Sequence, residues 1–243
     1  MTDYRQRIYQ YYVHARQESL APKSVEEFKV RESRLNPLIY NYFPANHEAK
    51  IVDLGCGHGA LIYFARKLGY FNIIGVDRSP EQVAEAKRLG IENVQEGDLM
   101  DTLNCLEKES LDVVISYDVI EHFFKEELVS FVDEVLRVLK TGGRWIIHAP
   151  NGESIFCGRI LFGDFTHELA FTRTSITQLL KASGFQQVEC FEDVLPVSGF
   201  KSAVRWVLWK LIRGILRFYL AVETGRGAKE CIFSQNFTTV AIK

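Results

Sequence analysis

Ile51-Val52-Asp53-Leu54-Gly55-Cys56-Gly57-His58-Gly59 decides the fold, because a short apolar run is followed at once by three closely spaced glycines. Glycine has no side chain, so the backbone can turn tightly there and let a ligand approach closely. A helix that starts behind such a loop presents unpaired N–H groups at its first turn. The stretch therefore predicts a buried strand, a ligand-binding turn and a helix that runs to about Leu68.

The same strand–helix alternation continues along the chain. Apolar runs predict further strands at 73–76, 93–95, 112–116 and 144–148, and amphipathic spacing predicts a helix over 126–139. Alternation of this kind is typical of an α/β fold with a mostly parallel, doubly wound sheet. Ligands of such sheets bind at the carboxyl ends of the strands. The chemistry is therefore expected just after residues 54, 76, 96, 116 and 149.

The segments outside this alternation complete the expected organisation. Aromatic spacing predicts two N-terminal helices over 3–18 and 23–43, and a closing strand is expected at 232–242. We therefore divide the chain into a helical lid, 1–44, and one α/β domain, 45–243. Tyr11, Tyr12 and Phe28 are expected to shield the reaction from water.

Composition excludes several classes of protein. The 243 residues carry 29 Lys and Arg against 31 Asp and Glu, a balance that argues against a dedicated nucleic-acid binder. Five cysteines without C-x-x-C spacing argue against a disulfide framework or a structural zinc site. Residues 1–17 lack the apolar core of a secretory signal, and no apolar run is long enough to span a membrane. A cytoplasmic protein is the expectation.

Two acids mark the expected nucleoside site. Asp77 ends the second strand, where a carboxylate can accept both hydroxyls of a ribose, and Asp98 after the third strand could accept an adenine amino group. The glycine loop itself also fits the dinucleotide pattern G-x-G-x-x-A. The loop and Asp77 alone thus leave NAD and S-adenosylmethionine (SAM) both open.

Five segments in order resemble the class I SAM-dependent methyltransferases over roughly residues 45–192. They are V-D-L-G-C-G-H-G (52–59), G-V-D-R-S (75–79), G-D-L (97–99), D-V-V-I-S-Y-D-V-I-E-H-F (112–123) and L-K-T-G-G-R-W-I-I-H-A-P-N (139–151). The resemblance implies a Rossmann-like, seven-stranded sheet with an antiparallel last strand, SAM as cofactor and S-adenosylhomocysteine as product. An NAD-dependent oxidoreductase would have no role for Asp98 or for residues 117–122.

The resemblance also implies roles for individual residues, which fall into three groups around the cofactor. Cys56 is expected to border the cofactor as part of the glycine loop, in a packing role and not as a nucleophile. The methionine end would be bordered by Asp53, Gly55, Gly57 and the backbone of Tyr117, with His122 on the sulfonium side. Asp77 would hold the ribose. The residues beside the adenine would be Arg78, Asp98 and Leu99.

The acceptor side is suggested by a second segment. Asp164–Thr172 is similar to the D-x-x-H-x-x-x-F-T segment of methyltransferases that act on quinone precursors, small metabolites and sugars. An alcohol must lose its proton during methyl transfer, and histidine is the natural base, so His167, then His122, then His148 are the candidates. We expect methylation of a hydroxyl on a small molecule, sugar or glycolipid. Alternatives are N-methylation of a small amine and a non-catalytic SAM-binding subunit.

Two features allow competing interpretations. Asp164, His167 and Glu168 could ligate a hard cation, but the same residues also make ordinary caps and ion pairs, so no metal is expected. The apolar helix predicted at 199–221 carries basic Lys210, Arg213 and Arg217 on one stripe. Such a helix either packs beside the sheet or contacts a membrane surface peripherally. Residues 223–243 are similar to the tails of methyltransferases from bacterial polysaccharide and glycolipid clusters.

Overall fold

The computed structural model describes residues 4–11, 22–193, 196–197, 199–227 and 230–243. Within them the helices are α1 (Tyr4–Gln10), α2 (Lys29–Tyr42), α3 (Ala60–Lys67), α4 (Pro80–Arg88), α5 (Leu99–Cys105), α6 (Lys125–Val138), α7 (Cys157–Leu161), α8 (Arg173–Ser183) and α9 (Phe200–Thr224), with 3-10 turns at Val25–Phe28 and Ile120–His122. The strands are β1 (Ile51–Leu54), β2 (Ile73–Asp77), β3 (Val94–Glu96), β4 (Leu111–Tyr117), β5 (Leu139–Pro150), β6 (Gln187–Glu192) and β7 (Asn236–Ile242).

The strands of the described residues form one sheet of seven, in the order β3-β2-β1-β4-β5-β7-β6. β1 pairs in parallel with both β2 and β4, whereas β7 is antiparallel to its two neighbours, β5 and β6. This confirms the predicted Rossmann-like sheet. The strand order reverses between β1 and β4, which is where open α/β sheets bind their ligands.

Apolar clusters cover both faces of the sheet. Val52, Leu54 and Val114 point into one cluster, whereas Ile51 and Val113 point into the other. Successive side chains of a strand alternate between faces, so a strand buried on both sides must be apolar throughout. This burial explains the short continuous apolar runs in the sequence.

Several element boundaries differ from the predicted ones. β5 begins at Leu139, not at residue 144, because Leu139 already pairs with Leu111 where α6 ends. β7 begins at Asn236, whereas Ile232 is buried by packing and lies outside the strand. Of the first predicted helix, residues 4–10 form α1, and residues 12–18 lie outside the described part of the chain.

The predicted aromatic shield is placed differently in the structure. Phe28 is only 1% exposed and packs in the core against Phe64 and the ring of His58, so it does not cover a site. Tyr11 is 59% exposed, and Tyr12 lies outside the described residues. The residues of α1 that line a cavity at the sheet edge are instead Arg5 and Tyr9.

Candidate cofactor and active site

The glycine loop begins where β1 ends. Gly55, Gly57 and Gly59 have φ values of +78°, +55° and +80°. Residues other than glycine rarely adopt this region of backbone conformation. At Gly55 an added Cβ would lie 2.4 Å from Cγ2 of Val119. Conformation and close approach therefore both require glycine at position 55.

The first cavity lies where the glycine loop meets the carboxyl ends of β2, β3 and β4. Seven residues predicted from the sequence lie on its wall: Gly55 and Gly57 from the loop after β1, and Asp77, Arg78, Asp98, Leu99 and His122 from the segments that follow β2, β3 and β4. Helix α1 adds Arg5 and Tyr9, which the sequence analysis did not predict. The cavity therefore brings together both acids expected at a nucleoside.

Asp77 also holds the glycine loop in place. Its Oδ2 accepts a hydrogen bond from the Gly57 N–H at 2.7 Å, and its Oδ1 accepts one from the Ser79 N–H at 2.8 Å. Burial raises the pKa of Asp77, and these two N–H groups oppose that rise. Asp98 uses Oδ1 to cap α5 through the N–H groups of Met100 and Asp101. Both acids thus shape the backbone of the cavity.

A second cavity adjoins the first and shares four wall residues with it, namely Gly55, Gly57, Gln82 and Asp118. Asp53, Cys56 and Tyr117 line this cavity, as does Arg31. Burial, and then the charge of Asp77, raises the pKa of Asp53 to about 7. Burial also raises the pKa of the Cys56 thiol well above its ordinary value. A thiol of that kind is unreactive, so packing is the role that its environment favours.

Two arginines of α2 bring positive charge to the second cavity. Arg31 and Arg34 are three residues apart, so they share a face of the helix, and both line the cavity wall. Arg34 hydrogen-bonds the side chain of Tyr117. This pair was not predicted from the sequence, although the i, i+3 spacing of the two arginines is a visible signal there.

His148 lies between two carboxylates. Its Nδ1 is 2.5 Å from Oδ1 of Asp118, and its Nε2 is 3.1 Å from Oδ2 of Asp193. Burial lowers the pKa of His148, but Asp118, Tyr117 and Asp193 outweigh burial and hold that pKa well above its ordinary value. Both ring nitrogens of the resulting imidazolium donate. His148 is therefore a charged structural group and not a base.

His122 and His167 lie side by side, with ring centroids 4.7 Å apart. Nδ1 of His122 lies 2.9 Å from Oγ1 and 3.2 Å from the carbonyl oxygen of Thr166, and that Oγ1 donates to Asp164. The Nδ1–H of His122 is therefore the donor, and its Nε2 keeps the lone pair. Burial, and then the neighbouring His167, lowers the pKa of His122 to about 4.

His167 lines neither cavity and reaches the site through His122. Its Nδ1 is 3.0 Å from the carbonyl oxygen of Ile160, so that nitrogen carries the proton and Nε2 is the acceptor. In the same segment, Asp164 accepts a hydrogen bond from the N–H of Thr166, and Thr172 caps α8.

The metal-ligating set that the structure assembles differs from the one considered in the sequence. A carboxylate oxygen of Glu121 and ring nitrogens of His122 and His167 all lie within 4.8 Å of one another. Asp164 and Glu168 are not part of this group, and Glu168 accepts a hydrogen bond from the hydroxyl of Tyr4. Two imidazoles and a carboxylate suit a divalent transition metal better than Ca²⁺ or Mg²⁺.

Helix α1 lies across the first cavity. Arg5 donates to both carboxylate oxygens of Glu127, at 2.7 and 2.8 Å, and to the carbonyl oxygen of His122 at 3.1 Å. Tyr9 hydrogen-bonds Thr166, and burial raises its pKa. These contacts join α1 to the segments around His122 and His167.

Comparison with known proteins agrees with this geometry. Residues 52–147 match a family described as a methyltransferase domain. A probable S-adenosylmethionine-dependent methyltransferase of Mycolicibacterium smegmatis is 30% identical over 152 residues, which cover 60% of this chain and 54% of that protein. A ribosomal protein L11 methyltransferase of Clostridium botulinum is 36% identical over 102 residues, covering 41% and 31% of the two chains. The matches thus span about half or less of these relatives.

Solved structures share the fold over nearly the whole chain. A SAM-dependent methyltransferase from Archaeoglobus fulgidus superposes with a TM-score of 0.67 at 20% identity, covering 89% of this chain and 94% of that one. Together these findings show that residues 52–147 match a methyltransferase domain and that the chain has the fold of SAM-dependent methyltransferases. SAM is the cofactor named for the Mycolicibacterium smegmatis relative and for the Archaeoglobus fulgidus structure.

Proposed function

We propose that this protein transfers the methyl group of SAM to a hydroxyl oxygen of a small-molecule, sugar or glycolipid acceptor and releases S-adenosylhomocysteine. The observation that carries the proposal is the His122–His167 pair, because one ring lies on the wall of the first cavity and the other ring contacts it. A hydroxyl acceptor needs a base, whereas a neutral amine does not.

The two cavities suggest how SAM lies in the site. Asp77 and Asp98 suit the ribose and the adenine in the first cavity, and the methionine end then extends over Gly55 and Gly57. In the second cavity Arg31 and Arg34 supply positive charge for the methionine carboxylate. The methyl group would then face the side of the site on which His122 lies.

The proposed reaction is an in-line displacement. The acceptor oxygen attacks the methyl carbon while the S–CH₃ bond breaks, so an O–CH₃ bond forms and the sulfonium becomes a neutral thioether. The hydroxyl proton passes to Nε2 of His167. Because His167 itself lines neither cavity, this step requires the acceptor to contact the His122–His167 pair where His122 lines the first cavity. We assign the base to His167 because a pKa of about 4 makes His122 a weak base near neutral pH. His122 is then a positioning residue beside the cofactor.

Cofactor binding is tested first by calorimetry. We expect SAM and S-adenosylhomocysteine to bind and NADH to give no signal at the same concentrations, because Asp98 has no counterpart in a dinucleotide site. Micromolar binding of NADH without binding of SAM would overturn the proposal.

The assignment of the base is tested by measuring how fast S-adenosylhomocysteine is released with each of a panel of hydroxyl and amine acceptors of similar size. For a hydroxyl acceptor, His167→Ala should lower kcat by roughly 10²–10⁴ with little change in the Kd of SAM. His122→Ala should also weaken SAM, since His122 lines the first cavity. His47→Ala, at an exposed histidine outside both cavities, is the matched control.

Two results would contradict the base assignment. If His167→Ala turns over normally while EDTA abolishes activity, then Glu121, His122 and His167 hold a metal ion instead. If neither treatment matters, the acceptor is an amine or an acidic hydroxyl, and the site works by positioning alone.

A further inference from the structure

Helix α9 presents an apolar face to solvent along its whole length. None of its 25 residues is buried. Phe200 is 85% exposed, Leu211 61%, Ile215 67% and Phe218 72%. At 100° per residue these side chains fall within one narrow sector of the helix. An exposed apolar stripe of this size marks an interaction surface.

The opposite side of α9 faces the protein. Arg213 pairs with Glu192 at the end of β6, with 2.6 Å between Nη2 and Oε2. Arg217 is half-buried on the same side. From the sequence, Lys210, Arg213 and Arg217 share one stripe of a helix that either packs beside the sheet or contacts a membrane. The structure turns Arg213 and Arg217 toward the sheet and the apolar stripe outward.

The charges that border the apolar stripe are all positive. Residues 199–222 contain five basic and no acidic residues. Lys201 and Arg205 are exposed along one border of the stripe, and exposed Lys210 lies toward the other, over the ring of Trp206. Apolar side chains flanked by lysine, arginine and tryptophan complement a lipid surface with anionic headgroups.

We propose that α9 binds in the plane of an anionic membrane surface, with Leu211, Ile215 and Phe218 inserted among the lipids and Lys201, Arg205 and Lys210 at the headgroups. Among the described residues no helix is long and apolar enough to cross a membrane, which agrees with a helix that lies in the interface. The inference does not depend on the acceptor or on the chemistry of methyl transfer.

The attachment of α9 gives this contact a consequence for the site. Arg213 binds Glu192, and the next residue, Asp193, pairs with His148 beside the second cavity. Pro196, in the connection to α9, lines that cavity. A membrane-bound α9 therefore holds the second cavity close to the lipid surface.

The test is co-sedimentation of the full chain with phosphatidylcholine vesicles, with and without phosphatidylserine. We expect binding to the anionic vesicles, weak binding to phosphatidylcholine alone, and release by high salt. Leu211→Glu with Ile215→Glu should lower the bound-to-free ratio at least tenfold. Lys201→Glu with Arg205→Glu should lower it by roughly fivefold or more per residue.

Tyr40→Glu with Val129→Glu is the matched control, because both side chains are exposed and apolar and lie outside α9. This control should bind as the unchanged protein does, and all variants should keep SAM affinity. A chain that stays in solution with anionic vesicles at low salt overturns the proposal. The proposal is also overturned if the protein does not bind vesicles but forms a dimer that Leu211→Glu dissociates, since a second copy would then cover this face.

Discussion

At the residue scale, half-buried acids organise the first cavity through backbone N–H groups. Asp77 is the clearest case, because both of its oxygens accept from the loops that flank it. A carboxylate held in this way is oriented before a ligand arrives, so a ribose would meet a preorganised acceptor. The loop geometry and the ligand contact therefore depend on one side chain.

We predict that Asp77→Ala weakens SAM binding by roughly 2–3 kcal/mol, a factor of about 30–150 in Kd. The physical reason is the loss of charge-assisted hydrogen bonds to the ribose together with a looser Gly57 loop. Calorimetry measures the affinity, and Asp101→Ala, at the exposed neighbour of the α5 cap, is the control. A lower melting temperature with unchanged Kd would show that Asp77 serves the loop alone.

At the element scale, α1 covers the first cavity without belonging to the sheet. Its polar contacts with the described residues include those that join Arg5 to Glu127 and the carbonyl oxygen of His122, Tyr9 to Thr166 and Tyr4 to Glu168. Exposed ion pairs contribute little by themselves, and Glu127 is 43% exposed. If SAM binds in the first cavity as proposed, we expect this helix to open to admit it and to close over it.

We predict that Arg5→Ala raises the dissociation rate of SAM about three- to tenfold. The substitution removes both the ion pair with Glu127 and the hydrogen bond to the carbonyl oxygen of His122. Stopped-flow displacement of SAM measures the rate. Arg7→Ala removes an exposed arginine from the same helix and should leave it unchanged. Equal effects of both substitutions would mean that α1 acts through its overall charge and not through this contact.

At the scale of the whole molecule, a buried neutral histidine links stability to pH. His58 stacks on Phe28 at 5.6 Å between ring centroids and bonds Gln82 through Nδ1. Burial, and then the charge of Arg31, lowers the pKa of His58 from 6.5 to about 4. The unfolded chain takes up a proton below pH 6.5 that the folded chain takes up only near pH 4. His58 therefore makes unfolding easier as the pH falls through this window.

We predict that His58→Gln reduces the loss of unfolding free energy between pH 6.5 and 4 by roughly 3 kcal/mol relative to the unchanged chain. Asp53 and Glu121 are present in both the variant and the unchanged chain. The difference in the pH dependence of the unfolding free energy between the two proteins therefore isolates the contribution of His58. Urea unfolding across this range measures it, with His47→Gln as the control. Parallel pH curves for all three proteins would show that His58 has an ordinary pKa in the folded state.

The sequence by itself determined the sheet and the residues that its strand ends bring to the first cavity. Strand runs, glycines at 55, 57 and 59, and acids at 77 and 98 are local signals, because each reports a backbone turn or a strand end. In a parallel sheet those ends meet at one edge, so local order is enough to place Asp77 beside Asp98.

Only the tertiary structure decided which distant groups meet. The triad of Asp118, His148 and Asp193 joins the ends of β4 and β6 to β5. Arg5 of α1 donates to the carbonyl oxygen of His122, which is 117 residues away in the sequence. The orientation of α9 was decided in the same way, because the pair between Arg213 and Glu192 turns its basic side inward. Periodicity defines the two sides of a helix, but only packing decides which side the protein covers.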